Sequence, residues 1–409
     1  MPIPFARFWV LLGLFCLLFW LAPGSTAPAL AAETDEELSA VVAQQQQAIL
    51  RSQVQNLDTR AVESFLQQMN RTWQGYGPEV SLTDFLELYN GRSDSKYAPQ
   101  TILNGLLKYL VREVLANKGL LVQLILLAVM AALMQNIQSA FESDATAKLA
   151  NAVVYLVLMG MAVTGFGVAV ATARQTMQAL SGFMLAMLPT LLTVLVGMGG
   201  ISSAAIFHPL MVTFTTTTAT VMVSIVFPLA FLAAVLDIVS GMNENFQLTN
   251  LAGLFRQVSG WVLGVTFTLF LGIVAVKGAA GAVADGVTVK TAKFMISNFI
   301  PVVGKMFSDA TDLIFGSTIL LKNALGLVGL AAIFFIVAFP LLKILAVTLI
   351  YQLAGALIQP VGAKEVGKML TAMAKSLQLV FASLAVVALM FFVGITVIVG
   401  AGNLTVMVR

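Results

Sequence analysis

The chain has 409 residues, of which 59% are hydrophobic and only 10% charged, and its mean hydropathy is +0.94. Soluble domains carry about 25% charged residues, so the composition excludes a soluble fold and predicts an all-α polytopic membrane protein. The net charge of +3 is too small to point to nucleic acid and hides an asymmetry. Residues 33–118 carry 11 acidic and 8 basic side chains, whereas residues 119–409 carry 8 and 13.

Residues 1–31 read as a cleaved signal peptide. Arg7 supplies the basic region, Trp9 to Ala22 an apolar stretch, and Pro23-Gly24 the break. Ala29-Leu30-Ala31 is an A-x-A cleavage site, so the mature protein begins at Ala32. An uncleaved anchor is the other reading, although the apolar stretch is short for a span. Cys16, the single cysteine, lies in the leader. Cleavage would therefore remove every disulfide, thiolate metal site and cysteine nucleophile together.

Residues 32–118 form a second unit, a small helical extracytoplasmic module. Leu38, Val41, Val42, Ile49, Val54, Leu57, Val62, Phe65, Leu66 and Met69 recur at helical spacing. Ser81, with Asp84 three residues on, reads as a helix start. Ile102, Leu103, Leu106, Leu107, Leu110, Val111, Val114 and Leu115 give a strong apolar face, interrupted by Lys108, Arg112 and Glu113. That helix either lies along the membrane interface or packs into the core of the small helical module itself.

Residues 119–409 form the multi-pass membrane domain. Eight segments are apolar enough to span: 119–138, 149–171, 179–200, 206–240, 259–281, 323–341, 344–360 and 377–400. Pro189 and Pro228 are expected helix breaks, and the mixed segment 282–322 reads as an interfacial or re-entrant helix pair broken at Pro301, beside Asn298. With the N-terminus outside, Lys364, Lys368 and Lys375 of the expected 361–376 loop face the cytoplasm, and Arg174 and Arg256 fall in outside loops. Gly182-Phe183-Met184 before Pro189 echoes Lys293-Phe294-Met295 before Pro301. Repeated halves with broken helices are an architecture of transporters.

The sequence offers no catalytic, cofactor-binding or metal-ligating set. Residues 362–369 approach a phosphate-binding loop, but Met369 stands where the magnesium-binding hydroxyl belongs, and no strand precedes it. His208 is the single histidine; no second histidine or cysteine joins it for a metal site, and it is the one imidazole a triad could use as base. Asp237 and Lys277 lie near the ends of expected spans, where ionisable groups are costly and often functional. Thr215, Thr216, Thr217 and Thr218, flanked by Thr213 and Thr220, either line a polar cavity or bond back to their own helix. Gly260 and Gly264 make a G-x-x-x-G step suited to close helix packing.

Four stretches resemble stage III sporulation protein AE of endospore-forming Firmicutes. They are Ala205-Ile206-Phe207-His208-Pro209, the run from Asp285 to Phe307, the run from Leu320 to Gly329, and Ala401-Gly402-Asn403. The resemblance implies a multi-pass protein of the mother-cell membrane around the forespore. It implies a channel or secretion-like complex with the other stage III A proteins and, across the intermembrane space, a forespore membrane protein. That complex serves late forespore development and is driven by a separate ATPase. The family has no assigned catalytic residues. A self-contained secondary transporter with repeated halves is the alternative expectation.

Overall fold

The computed structural model describes residues 99–138, 144–242, 248–299, 303–361 and 364–407, with Glu63, Ser64, Gln67 and Asn70 upstream. Ala29, Ala31, Ala32, Pro301 and most of the N-terminal module up to residue 98 lie outside the described residues. Among the described residues there are eight long or medium α-helices: α1 (Pro99–Ala116), α2 (Lys118–Gln138), α3 (Asp144–Gly197), α4 (Ile201–Val221), α5 (Phe227–Met242), α6 (Thr249–Phe299), α7 (Val303–Ile358) and α8 (Lys364–Met407). Five of them contain stretches long and apolar enough to cross a membrane once α4 and α5 are taken together: Ala152–Gly197, Ile201–Gly241, Thr249–Val287, Thr318–Ile358 and Glu365–Ala401. The pair Gln100–Ala116 and Lys118–Met130, bent by 42°, makes a sixth if it counts as one span.

The expected eight crossings are thereby corrected. Segments 149–171 and 179–200 belong to one uninterrupted helix, α3, and segments 323–341 and 344–360 to another, α7. A continuous helix crosses once. The polar residues taken for loops, Arg174, Gln175, Gln178 and Lys343, lower hydropathy but are good helix formers. For the same reason residues 364–376 are the first turns of α8 rather than a loop.

Proline behaves differently from site to site. Pro189 lies inside α3 without ending it, so the break expected there is absent; Pro209 and Pro340 lie inside α4 and α7. Neighbouring helices and local adjustments compensate the lost amide in such positions. Pro228 follows a π-helical turn, Met222–Val226. Without an amide at Pro228 the Ser224 carbonyl has no α-helical donor, and the wider turn absorbs the mismatch. Asn298 is the penultimate residue of α6.

The reversal between α3 and α4 takes three residues. Gly200 N–H donates to Leu195 O (3.0 Å) and Gly199 N–H to Val196 O (2.8 Å), the paired bonds of a Schellman cap. Gly199 has φ 84°, open to glycine at little cost. A Cβ on Gly200 would lie 2.8 Å from Leu195 Cδ1.

The centre of the bundle is the α7–α8 hairpin, against which α3 and α6 pack. In the most apolar window of α7, 72% of residues are buried, against 22% for α6, which therefore lies at the periphery. Small residues set the closest approaches. A Cβ on Gly326 would meet Val399 Cγ2 at 2.7 Å, and one on Gly367 would meet the Gly355 carbonyl at 3.1 Å. α1 packs on α7, its Tyr109 ring 4.7 Å from Phe339, with Ile102 and Leu106 also against the core. Neither expectation describes this helix: its inner face packs on α7 of the membrane domain rather than within a small separate domain, and Leu103, Leu107, Val111 and Leu115 are exposed on its outer face.

Two buried tyrosines lock helices by one device. Tyr351 Oη donates to Ala162 O (2.6 Å), and Tyr155 Oη to Ile238 O (3.0 Å). Three residues past each acceptor stands a glycine, Gly165 or Gly241, whose missing side chain leaves room for the phenol. A helix carbonyl keeps one lone pair free for an outside donor, and the residue three positions on controls access to it.

Candidate functional site

Two arrangements built on buried carboxylates stand out in the largely apolar bundle. The first lies at the α3–α4 turn. Asp285 of α6 is buried, and its two carboxylate oxygens accept the backbone N–H of Ser202 (2.7 Å) and Ser203 (2.9 Å). These are unpaired amides of the first turn of α4, whose N-cap, Gly200, has no side chain. A carboxylate from another helix supplies the missing cap and complements the positive end of α4. Gly281 makes the approach possible: its Cβ would lie 2.8 Å from Ser203 Oγ. Beside this turn runs a shallow groove of about 400 Å³ lined by Pro189, Leu192, Thr193, Val196, Ala204 and His208.

The second arrangement joins α5, α6 and α8. Arg256 Nη1 donates to Asp237 Oδ2 and to Ser376 Oγ (3.3 Å). The Asp237 side chain is 2% exposed and that of Arg256 19%. Asp237 Oδ1, Ser203 Oγ and Thr218 Oγ1 are buried with no hydrogen-bond partner among the described residues. Sequence reasoning placed Arg256 in a loop, yet it stands inside α6.

The expected polar cavity does not assemble. Thr215 and Thr218 are buried, whereas Thr216 and Thr217 are exposed on the opposite side of α4. Thr216 Oγ1 donates to Val212 O (2.8 Å) and Thr220 Oγ1 to Thr216 O (2.8 Å), so these hydroxyls serve their own helix. Asp237 is engaged by Arg256, and Lys277 is exposed on α6. Nor do Gly260 and Gly264 pack as expected, because no atom lies within 4 Å of a Cβ on either. The close approaches on α6 are at Gly278 and Gly281 instead. No group of three histidine, cysteine, aspartate or glutamate residues suited to a metal occurs among the described residues.

Buried charges spent on capping and pairing, in long apolar helices, mark a membrane scaffold, and sequence comparison gives its kind. The sequence model of the family described as Stage III sporulation protein AE (spore_III_AE) matches residues 80–402, which include all the apolar helices. The chain belongs to the stage III sporulation protein AE family. It is 42% identical over 354 residues to Stage III sporulation protein AE of Bacillus subtilis (strain 168), covering 87% of this chain and 88% of that protein. No solved structure matches the chain. Asp285, Ser202, Ser203, Asp237 and Arg256 all fall within the span matched by the family.

Proposed function

We propose that this protein is a membrane subunit of the stage III A sporulation complex, in the mother-cell membrane around the forespore, where it forms or supports a passage toward the forespore. The observation that carries the reading is the family match across every apolar helix. It is supported by a B. subtilis relative that is similar over most of both chains. On this reading the leader is removed before Ala32, the N-terminal module lies between the two membranes, and other stage III A proteins and a forespore membrane protein are its partners. The chain works without catalysis or a cofactor of its own, and a separate ATPase supplies energy, since the stretch 362–369 has Met369 where a phosphate-binding loop carries its magnesium-binding hydroxyl.

The test is purification of tagged protein from sporulating cells. The proposal expects co-isolation with the other stage III A proteins and a sporulation defect on deletion. Recovery of the protein alone, with solute uptake by liposomes containing only this chain, would favour the secondary transporter instead.

A further inference from the structure

The buried face of α4 keeps the period of an α-helix and then slips. Along α4 it runs through Ala204, Phe207, Met211, Thr215 and Thr218, and it reaches Met222. Met222 lies 18 residues beyond Ala204, which is five whole turns at about 3.6 residues each. Continued at that period, the face would pass between Ile225 and Val226, then near Leu229, Ala233, Leu236 and Ser240. The residues buried instead are Val226 with Phe227, Ala230, Ala233 with Ala234, and Asp237 with Ile238. Gly241, which leaves room for the Tyr155 hydroxyl, follows on the same line. The observed face therefore stands one residue late, a rotation of about 100°.

The slip falls at the π turn. There Phe227 N–H donates to Met222 O, five residues back rather than four, so the turn holds one residue more than an α-helical one. Proline by itself does not demand this. Pro189, Pro209 and Pro340 stand inside α-helices, so the missing amide of Pro228 permits the wider turn without requiring it. What requires it lies further along. α5 packs on α6 and α8, and it turns Ala230, Ala233 and Ala234 inward, while Leu229 and Leu236 are half-buried. Small inward residues let helices approach closely. In an unshifted register Leu229 and Leu236 would point inward and overfill the space that alanines occupy. Asp237 would swing by about 100° from Arg256, and the Ile238 carbonyl from Tyr155.

We propose that the π turn at Met222–Val226 is a register device, an inserted residue that turns α5 so that its alanine face packs inward and Asp237 meets Arg256. The buried ion pair and the Tyr155 lock are thus positioned from about three helical turns away. The device has an unusual consequence. Removing one residue from an apolar helix ordinarily rotates all that follows out of its contacts. Removing one from the π turn restores a plain α-helix and leaves the facing of α5 as it is.

The test uses the full chain carrying Cys16→Ser in mixed micelles, with two readouts of register. One is disulfide formation in Ser240→Cys/Thr249→Cys, whose parent hydroxyls on α5 and α6 lie 3.0 Å apart. The other is the drop in denaturation midpoint caused by Arg256→Gln, which is present only where Asp237 faces Arg256. Pro228→Ala alone should leave both unchanged. Deletion of Ser224, exposed in the π turn, in the Pro228→Ala background should also keep both. Deletion of Leu232, 46% exposed beyond the turn, in the same background should abolish both, because Asp237 and Ser240 rotate by about 100°. Failure of the Ser224 deletion to fold, loss of either readout in it, or equal retention of both readouts in the Leu232 deletion would each overturn the proposal. So would a changed disulfide yield in Pro228→Ala alone.

Discussion

Gly165→Ala tests the tyrosine–glycine lock most directly. An added Cβ overlaps Tyr351 Oη and lies 3.3 Å from Leu120 Cδ2, which can yield, whereas the phenol cannot move without leaving Ala162 O. The loss of that buried hydrogen bond costs about 1 kcal/mol, and the overpacking about 1–3 kcal/mol, so the variant should lose about 2–4 kcal/mol. Tyr351→Phe alone removes only the hydrogen bond and should cost about 1 kcal/mol, in line with the modest values measured inside membrane bundles. In the double variant the obstructing oxygen is gone and the nearest ring carbon is 3.4 Å from the new Cβ. The double variant should therefore be about as stable as Tyr351→Phe, with a coupling of about 2–4 kcal/mol. Denaturant unfolding in mixed micelles, followed by helicity, measures all four corners of the cycle. Additivity within about 0.5 kcal/mol would show that the glycine does not serve the tyrosine.

Arg256→Gln strands a buried carboxylate and should destabilise the bundle by about 3–5 kcal/mol, whereas Asp237→Asn/Arg256→Gln should recover part of that loss in the same unfolding assay. Asp285→Asn turns an amide donor toward one of the N–H groups of Ser202 and Ser203; a cost of about 1–3 kcal/mol is expected, with faster hydrogen exchange at the start of α4. Gly281→Val should impair folding because Ser203 occupies its space, while Gly260→Ala, facing open surroundings, should change stability by less than about 0.5 kcal/mol. Equal effects at the two glycines would contradict the packing described for α6.

Class was legible in composition because hydrophobic content survives any error in helix boundaries. Span number was not. Hydropathy reads Arg174 and Lys343 as boundaries, whereas the backbone responds to propensity and to neighbours, and it continues through both. The Asp237–Arg256 pair could have been found: the two residues are equidistant from Phe246-Gln247, as suits partners across an antiparallel connection. Asp285 gave no such signal, since nothing in the sequence says which helix start lies beside it. Pro228 disturbs its helix and Pro189 does not end its own, a difference set by the surrounding helices rather than by proline itself. The same holds for glycine. The recognisable G-x-x-x-G step at Gly260 and Gly264 meets nothing, while Gly165 and Gly241 matter through tyrosines far away in sequence.

Among the described helices the most buried, α7, comes after α1 to α6 and just before its close partner α8. During synthesis, α1 to α6 therefore leave the ribosome before the surface they pack on exists. Asp285 can cap α4 as soon as α6 has entered the membrane, and Arg256 can find Asp237 at the same stage, both before residue 303 is made. Tyr351 and Tyr109 must wait for the final hundred residues. The two buried carboxylates thus join the early helices into a provisional assembly. Apolar packing by α7 and α8 completes it, so quality control that senses exposed polar groups in the membrane would pass the chain before its centre is filled.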